Sequence, residues 1–332
     1  MNYEKATIKI LKLIKNDSEK YFSDLENYLK DTDCKERIRK ANNYKDLLYY
    51  LSEFCFQKKE LKLSERLSLE LFNIDQDYSK NLFLIGKIYF SLGEYSNALK
   101  FYKKYEVTPY NNELLLNISL CYQLLGDNDI ALEYLNKYIK LDNKNYNALN
   151  NRGYILNELK LYSEAIQDLN TCIEIDPLRS EAFNNLGKAY FNIKNYKKAI
   201  ESYTNSIKLK IDDPNPYNNL GGLYFNIGKK DEATDIYLNS LKINKNNSST
   251  FRSLALSNGI NLSNDISKRF IKIFQETENK LSDRQFIESH NKGQINACLD
   301  DLVNIGFGLG YLHDKEQEFD KAFNYFAKSN NI

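Results

Sequence analysis

Asparagines recur at a fixed interval through the middle of the sequence. We call them the amide row: Asn117, Asn151, Asn185 and Asn219 at steps of 34 residues, with Asn150, Asn184 and Asn218 each preceding one of them. A carboxamide has one acceptor and two donors, so it can bridge the C=O and N–H groups of an extended peptide whatever its side chains. The amide row therefore predicts recognition of a peptide backbone.

Cationic and aromatic residues stand about one and two helical turns beyond these amides. They are Lys87, Tyr154 and Lys188 at the nearer positions, and Phe90, Phe191 and Phe225 at the farther ones. The rings would add apolar contact to the hydrogen bonds of the amides. Two lysines are too few to clamp a terminal carboxylate, so we expect the amides to dominate binding.

Residue types that usually carry catalysis or hold metals are sparse. Five cysteines without a C-x-x-C pair argue against a disulfide framework or a zinc site, and Cys55, Cys121 and Cys172 fall at positions expected in the core. The two histidines, His290 and His313, have no Cys or second His at ligand spacing, and we expect His313 on the surface. The sequence predicts no enzyme activity, no metal and no cofactor.

Composition points to a helical protein without strong charge. The 332 residues include 46 Lys and Arg against 45 Asp and Glu, which disfavours steering toward nucleic acid or an anionic membrane. The basic cluster KERIRK at 35–40 is either a nucleic-acid patch or a solvated helix face, and we favour the second interpretation. With no bilayer-spanning apolar stretch and no signal-peptide pattern, we expect a cytoplasmic protein. Four prolines and 13 glycines favour long helices.

Small residues share the period of the amide row. One series is Ser52, Gly86, Ser119, Gly153, Gly187, Gly221 and Ala255, and another is Ser64, Ala98, Ala131, Ala165, Ala199 and Ala233. Within one period, apolar residues at helical spacing flank a polar break, which predicts a helix, a tight turn and a second helix. The small residue in the first helix would let the two helices approach closely.

This pattern resembles the tetratricopeptide repeat, which has a 34-residue period and the same alternation of small and aromatic residues. The resemblance implies an all-α, right-handed α-α superhelical solenoid whose concave groove is lined by first helices. Predicted repeats span 45–78, 79–111, 112–145, 146–179, 180–213 and 214–247, with a divergent copy at 248–281 that completes an array over 45–281. Residues 1–44 are predicted to form a helical cap, and residues 282–332 a repeat-like helical segment.

The amide row is similar to the asparagine ladders in the repeats of O-linked N-acetylglucosamine transferase, which implies that these amides bind peptide in the groove. Asparagine is also common at this position in ordinary repeats of the family, and an AT-rich genome supplies it freely. A purely structural role for the amide row therefore stays open.

The end of the chain is similar to the segment that joins the repeats to the catalytic domain in bacterial tetratricopeptide-containing sulfotransferases. Phe307, Leu309, Gly310, Asp314, Phe319, Ala322, Phe323 and Asn330 match that pattern, whereas Gly308 and Ser329 depart from it. The glycines of GFGLG, residues 306–310, lack dinucleotide-binding spacing, so we expect them to pack helices.

Two functions follow from these patterns. The first is a protein-interaction scaffold that binds an extended peptide or partner protein in the groove. The second is the non-catalytic, substrate-recruiting region of a sulfotransferase, or less readily of a glycosyltransferase, whose catalytic domain is not in this chain.

Overall fold

The computed structural model describes residues 41–105, 112–257, 259–283 and 292–330, together with the single positions 10, 25, 27, 29, 30, 34 and 286. The basic cluster at 35–40, His290 and most of the predicted cap at 1–44 lie outside the described residues. All regular secondary structure in the described part is helical, which confirms the predicted all-α class.

The helices belong to two compact units, residues 1–126 and residues 127–332. The first unit contains α1 (Tyr44–Gln57), α2 (Leu61–Ile74), α3 (Ser79–Ser91), α4 (Tyr95–Tyr105) and α5 (Asn112–Leu125). The second unit contains α6 (Asn128–Leu141), α7 (Tyr146–Glu158), α8 (Tyr162–Ile175), α9 (Ser180–Asn192), α10 (Tyr196–Leu209), α11 (Pro214–Asn226), α12 (Lys230–Ile243), α13 (Ser248–Leu256), α14 (Asp265–Ser282), α15 (Lys292–Lys315) and α16 (Phe319–Asn330).

In the first unit, α1 pairs with α2 and α3 pairs with α4, while α2 also packs against α3. The core of the first pair includes Leu51 and Leu67 together with Ile10, Leu25 and Cys34 from the N-terminal segment. These N-terminal side chains are fully buried, so the described part of the segment contributes to the core of the first helix pair.

The second unit repeats one packing arrangement. The pairs α7–α8, α9–α10 and α11–α12 follow one another, and the second helix of each pair packs against the first helix of the next. The first helices α7, α9, α11 and α13 also contact one another in succession. Because each pair contacts its neighbours along the chain, this arrangement confirms the predicted solenoid of helix–turn–helix repeats.

One contact recurs across the two helices of a pair. The small residue of the first helix faces a large side chain 16 residues later, as Gly187 faces Tyr203 and Gly221 faces Tyr237. A Cβ atom added to Gly187 would lie 2.6 Å from the Tyr203 ring, closer than van der Waals contact allows. The glycine is therefore required because the partner ring occupies the space of its side chain.

In the first pair, α1 and α2, the two helices approach closely without a glycine. Ser52, Ser64 and Ser68 occupy the small and large positions, and all three are fully buried. The Ser52 hydroxyl lies 3.0 Å from that of Ser64 and 2.6 Å from that of Ser68. Hydrogen bonds between hydroxyl groups thus replace the contact between glycine and a ring.

The first helix of a pair is followed by a residue with a left-handed backbone conformation, seven positions after the small residue. Gly93 and Gly228 adopt this conformation with φ of 78° and 82°, and Lys160 and Lys194 adopt it with φ of 63° and 61°. The N–H of Asn195 then donates to the carbonyl of Tyr190 at 2.8 Å, which closes a Schellman turn. This turn reverses the chain into the second helix.

Helix α15 joins the last elements of the second unit, since it packs against α13, α14 and α16. Its glycines carry these contacts: Gly308 faces Phe251, Gly306 faces Phe274 and Ser329, and Gly310 faces Phe326. The expected helix-packing role of GFGLG is therefore confirmed. Gly310 and Phe326 keep the 16-residue separation, so α15 and α16 resemble one more repeat.

The expected surface location of His313 is wrong. Its side chain is buried, with Nδ1 2.5 Å from a carboxylate oxygen of Glu318 and its ring stacked on Tyr325 at 5.2 Å. The reason is the turn at Gln317, where a φ of 63° brings Glu318 back onto the end of α15. The Glu318 N–H donates to the His313 carbonyl at 2.9 Å.

Adjacent glycines in α11 test the contact between helices. We expect Gly221→Ala to lower the free energy of unfolding by about 1–2 kcal/mol, because the added Cβ would stand 2.5 Å from the buried Tyr237 ring. Gly222→Ala is the matched control, since its Cβ would meet only the Tyr237 hydroxyl, at 3.8 Å. That change should be neutral or stabilise by up to about 1 kcal/mol through helix propensity.

Urea denaturation followed by circular dichroism measures both changes. Equal losses of stability in the two variants would contradict the assigned role of Gly221.

Candidate functional site

Three first helices present the amide row in the second unit. Helices α7, α9 and α11 lie next to one another, and each begins its second turn with a pair of asparagines. In α9 and α11, Leu186 and Leu220 follow the asparagines and are buried. The asparagine side chains are half-buried, as expected for residues between the core and the solvent.

The amides bond to one another from repeat to repeat. Nδ2 of Asn185 donates to Oδ1 of Asn150 at 3.0 Å, and Nδ2 of Asn219 donates to Oδ1 of Asn184 at 2.9 Å. The second asparagine of each pair thus donates back to the first asparagine of the preceding repeat. The doubled asparagine therefore has a structural role of its own, because it links consecutive first helices.

These bonds leave part of each amide unused. A carboxamide has two N–H groups, and Asn185 and Asn219 each use one of them in this row. Asn151 makes no side-chain hydrogen bond to any residue that the structure describes. Donors and acceptors for a ligand thus remain along the surface of α7, α9 and α11.

The row ends differently at α13. Oδ1 of Asn218 accepts from the Thr250 hydroxyl at 2.6 Å, and Nδ2 of Asn218 donates to the Ser249 hydroxyl at 3.2 Å. Hydroxyl groups of the next helix thus take the place of a further asparagine. The carbonyl oxygen and one N–H group of Asn218 are thus engaged within the chain.

Charges beside the amide row cancel locally. Lys188 forms an ion pair with Glu158, and its Nζ also lies 5.3 Å from the centre of the Tyr154 ring. Phe191 packs near Tyr196, and Phe225 has 38% of its surface exposed. The surface beside these amides is therefore close to neutral and carries an accessible ring.

The predicted residues of the first unit form a separate group. Lys87 on α3 lies 3.2 Å from the carboxylate of Glu113 and 5.5 Å from the centre of the Phe83 ring. Phe90 packs against Tyr95, and Asn117 lies half-buried on α5. Both lysines predicted to face a ligand thus already have carboxylate partners.

The sequence patterns did not predict a partly buried ion pair beside the amide row. Arg152 stands where α9 and α11 have a core leucine, and its Nε and Nη2 bond to the two carboxylate oxygens of Asp168 at 2.7 and 2.8 Å. Its Nη1 donates to Asn136 at 2.9 Å. The sequence does contain a pattern that could have predicted this ion pair. Successive residues among Asn136, Arg152 and Asp168 are 16 positions apart, the same separation as between each glycine and the side chain that it faces.

Other chemistry finds no support in the described part of the chain. That part contains no group of three or more His, Cys, Asp or Glu residues arranged to hold a metal ion. Nor does any helix within it combine the length and apolar character needed to cross a membrane.

Comparisons with known proteins identify the repeats. One tetratricopeptide repeat model matches residues 180–213, and a second matches residues 79–105, 113–145, 146–177 and 214–247. The segments 45–78 and 248–281 lie outside these matches, and their boundaries stay predictions. A search of curated proteins found no match.

Solved structures with similar folds include the Cut9–Hcn1 hetero-tetramer of the APC/C, at 18% identity and a TM-score of 0.58 over 76% of this chain and 51% of that one. MamA is similar at 28% identity and a TM-score of 0.43, over 48% of this chain and 95% of that one. YrrB, described as a TPR protein with an unusual peptide-binding site, is similar at 20% identity and a TM-score of 0.48, over 55% of this chain and 95% of that one.

The stacked helix pairs and their recurring glycine contacts define a helical repeat protein. The matched segments show which kind: the chain is a tetratricopeptide repeat protein. Proteins of this class typically bind other proteins or peptides on their extended surfaces. The sulfotransferase-like pattern at the end of the chain stays a prediction.

The cysteines provide a test of burial. Burial raises the pKa of Cys121 and Cys172 to about 12, so their reactive thiolate forms are scarce at pH 8. Cys298 is partly exposed. We expect iodoacetamide to label Cys298 in the native protein, and to label Cys121 and Cys172 about a hundredfold more slowly.

Peptide mapping by mass spectrometry after timed labelling measures these rates, with denatured protein as the control. Rapid native labelling of Cys172 would contradict its assignment to the core.

Proposed function

We propose that this protein is an interaction scaffold that binds an extended peptide or partner segment on the surface formed by α7, α9 and α11. The observation that carries the proposal is the amide row, which runs across three consecutive first helices with unused donors and acceptors. The proposal includes no catalytic step, cofactor, nucleic acid or membrane, and it assumes a cytoplasmic location.

Binding would use the peptide backbone as its main point of recognition. Asn150 keeps both N–H groups, while Asn185 and Asn219 each keep one N–H group in the row, and all three lie half-buried. A peptide laid along them in an extended conformation presents C=O and N–H groups at regular intervals. The bonds between neighbouring amides hold the side chains in place, so less conformational entropy is lost on binding.

The electrostatics of the surface favour a ligand without high charge. Lys188 is paired with Glu158, and Lys87 is paired with Glu113. A strongly acidic peptide would have to displace these carboxylates to reach the lysines. A neutral segment avoids that competition, so its side chains can vary widely.

Aromatic contact would supply the rest of the affinity. Each amide hydrogen bond contributes about 1 kcal/mol net, whereas micromolar binding requires about 8 kcal/mol. Phe225 is the most exposed ring beside the row, and Phe191 lies at the matching position one repeat earlier. Apolar groups of the ligand that pack on these rings would make up the difference.

A peptide selected from a display library provides the test. Its affinity for the full chain is measured by calorimetry with the wild type and with the Asn151→Ala, Asn185→Ala, Asn219→Ala triple variant. We expect the triple variant to bind about a hundredfold more weakly, because three bonds of about 1 kcal/mol each are lost. N-methylation of the peptide backbone should weaken binding more than alanine replacement of its side chains.

Two controls separate binding from stability. Asn170→Ala with Asn205→Ala removes two amides from the second helices α8 and α10, and it should leave the affinity unchanged. The single change Asn151→Ala removes an amide that has no side-chain hydrogen bond among the described residues, so it should weaken binding at an unchanged melting temperature. Unchanged affinity in the triple variant would remove the amide row from the proposed function.

A further inference from the structure

A cavity of about 470 Å³ lies between the second helix α12 and helix α14. It belongs to a different part of the second unit from the amide row, which stands on first helices. Leu238, Leu241 and Ile266 form apolar walls, and Arg269 lines the cavity from α14. A space of this size is sufficient for a small organic ligand.

The guanidinium group of Arg269 lies 5.3 Å from the centre of the Phe270 ring, and two of its three nitrogens lack a hydrogen-bond partner in the described part of the chain. Its Nε and Nη2 atoms are buried and have no hydrogen-bond partner among the residues that the structure describes. An arginine stays charged at any physiological pH, so it cannot relieve this cost by losing a proton. A buried charged donor without a partner is unusual in a folded protein, and it indicates a missing acceptor.

The remaining polar residues of the cavity favour an anion. Lys242 and Lys245 add two cations, and Asp235 is the single carboxylate in the lining. Lys242 donates to Asn239 at 3.0 Å, a neutral amide that leaves its charge uncompensated. Three cations therefore face one carboxylate, and Arg269 forms no ion pair within the described part of the chain.

The ion pair of Arg152 shows which kind of group the Nε and Nη2 atoms of Arg269 can bind. The Nε and Nη2 of Arg152 bond to both oxygens of Asp168, at 2.7 and 2.8 Å. The same two nitrogens of Arg269 lack such a partner. This edge of a guanidinium group matches the two oxygens of a carboxylate or a phosphate.

We propose that this cavity binds the oxyanion group of a small ligand, a carboxylate or a phosphate, with Arg269 as its main partner. The guanidinium turns toward the cavity that it already lines, and its Nε and Nη2 bond to two oxygens of the ligand. Lys242 and Lys245 complement the remaining negative charge. An apolar part of the ligand rests on Leu238, Leu241 and Ile266.

Titration of the purified full chain with four probes tests this site. The probes are hexanoate, phenyl phosphate, inorganic phosphate and the neutral hexanamide, and binding is followed through the methyl NMR signals of Leu238, Leu241 and Ile266. We expect saturable shifts with hexanoate or with the phosphates and none with hexanamide. A response to hexanoate alone assigns a carboxylate ligand, and a response to the phosphates alone assigns a phosphate ligand.

Variants on α14 establish which residue holds the anion. Arg269→Gln should weaken binding at least tenfold. Lys272→Gln removes one positive charge from the same helix at a side chain that is 77% exposed and does not line the cavity, so it should change the affinity less than twofold. If Arg269→Gln does not fold, the double variant Lys242→Gln, Lys245→Gln serves in its place and should also lose binding.

Two results would overturn the proposal. One is the absence of saturable binding of any anionic probe at concentrations of about 10 mM, about tenfold above the Kd of a weak site with millimolar affinity. The other is an equal loss of affinity in Arg269→Gln and Lys272→Gln, which would indicate non-specific attraction by positive charge.

Discussion

The close approach of paired helices at one small residue is the constraint on which the rest of the structure depends. A ring or leucine side chain occupies the space where a Cβ would stand, as Tyr203 does beside Gly187. This contact sets how closely the two helices of a pair pack. In the second unit, successive pairs repeat the same packing arrangement, so residues that share a position in the repeat lie on adjacent first helices.

The period of the sequence was sufficient to predict the helix pairs, because small residues and apolar stripes recur at helical spacing over several copies. It did not reveal the bonds between the asparagines, since those depend on how adjacent first helices are offset. Asn150 and Asn185 are 35 residues apart, one more than the period. The pairing of His313 with Glu318 was equally hidden, because it depends on the left-handed turn at Gln317.

The regular and irregular parts of the second unit differ in what they offer a ligand. Where the period holds, polar side chains find partners in the same repeat or the preceding one, as Arg152 finds Asp168 and Asn136. Where the period fades after α12, Nε and Nη2 of Arg269 have no hydrogen-bond partner among the residues that the structure describes, and a cavity lies beside this side chain. The proposed peptide site therefore arises from the regular repeats, whereas the proposed anion site arises where the repeat pattern ends.

The links between asparagines also bear on how such a chain can lengthen over evolution. Each link joins the second amide of one copy to the first amide of the copy before it. A tandem duplication of the segment 180–213 would recreate the same link at the new junction, and the same glycine contact within the added repeat. Gene duplications of this length would thus extend the array without new compensating mutations, whereas insertions of other lengths would break the register.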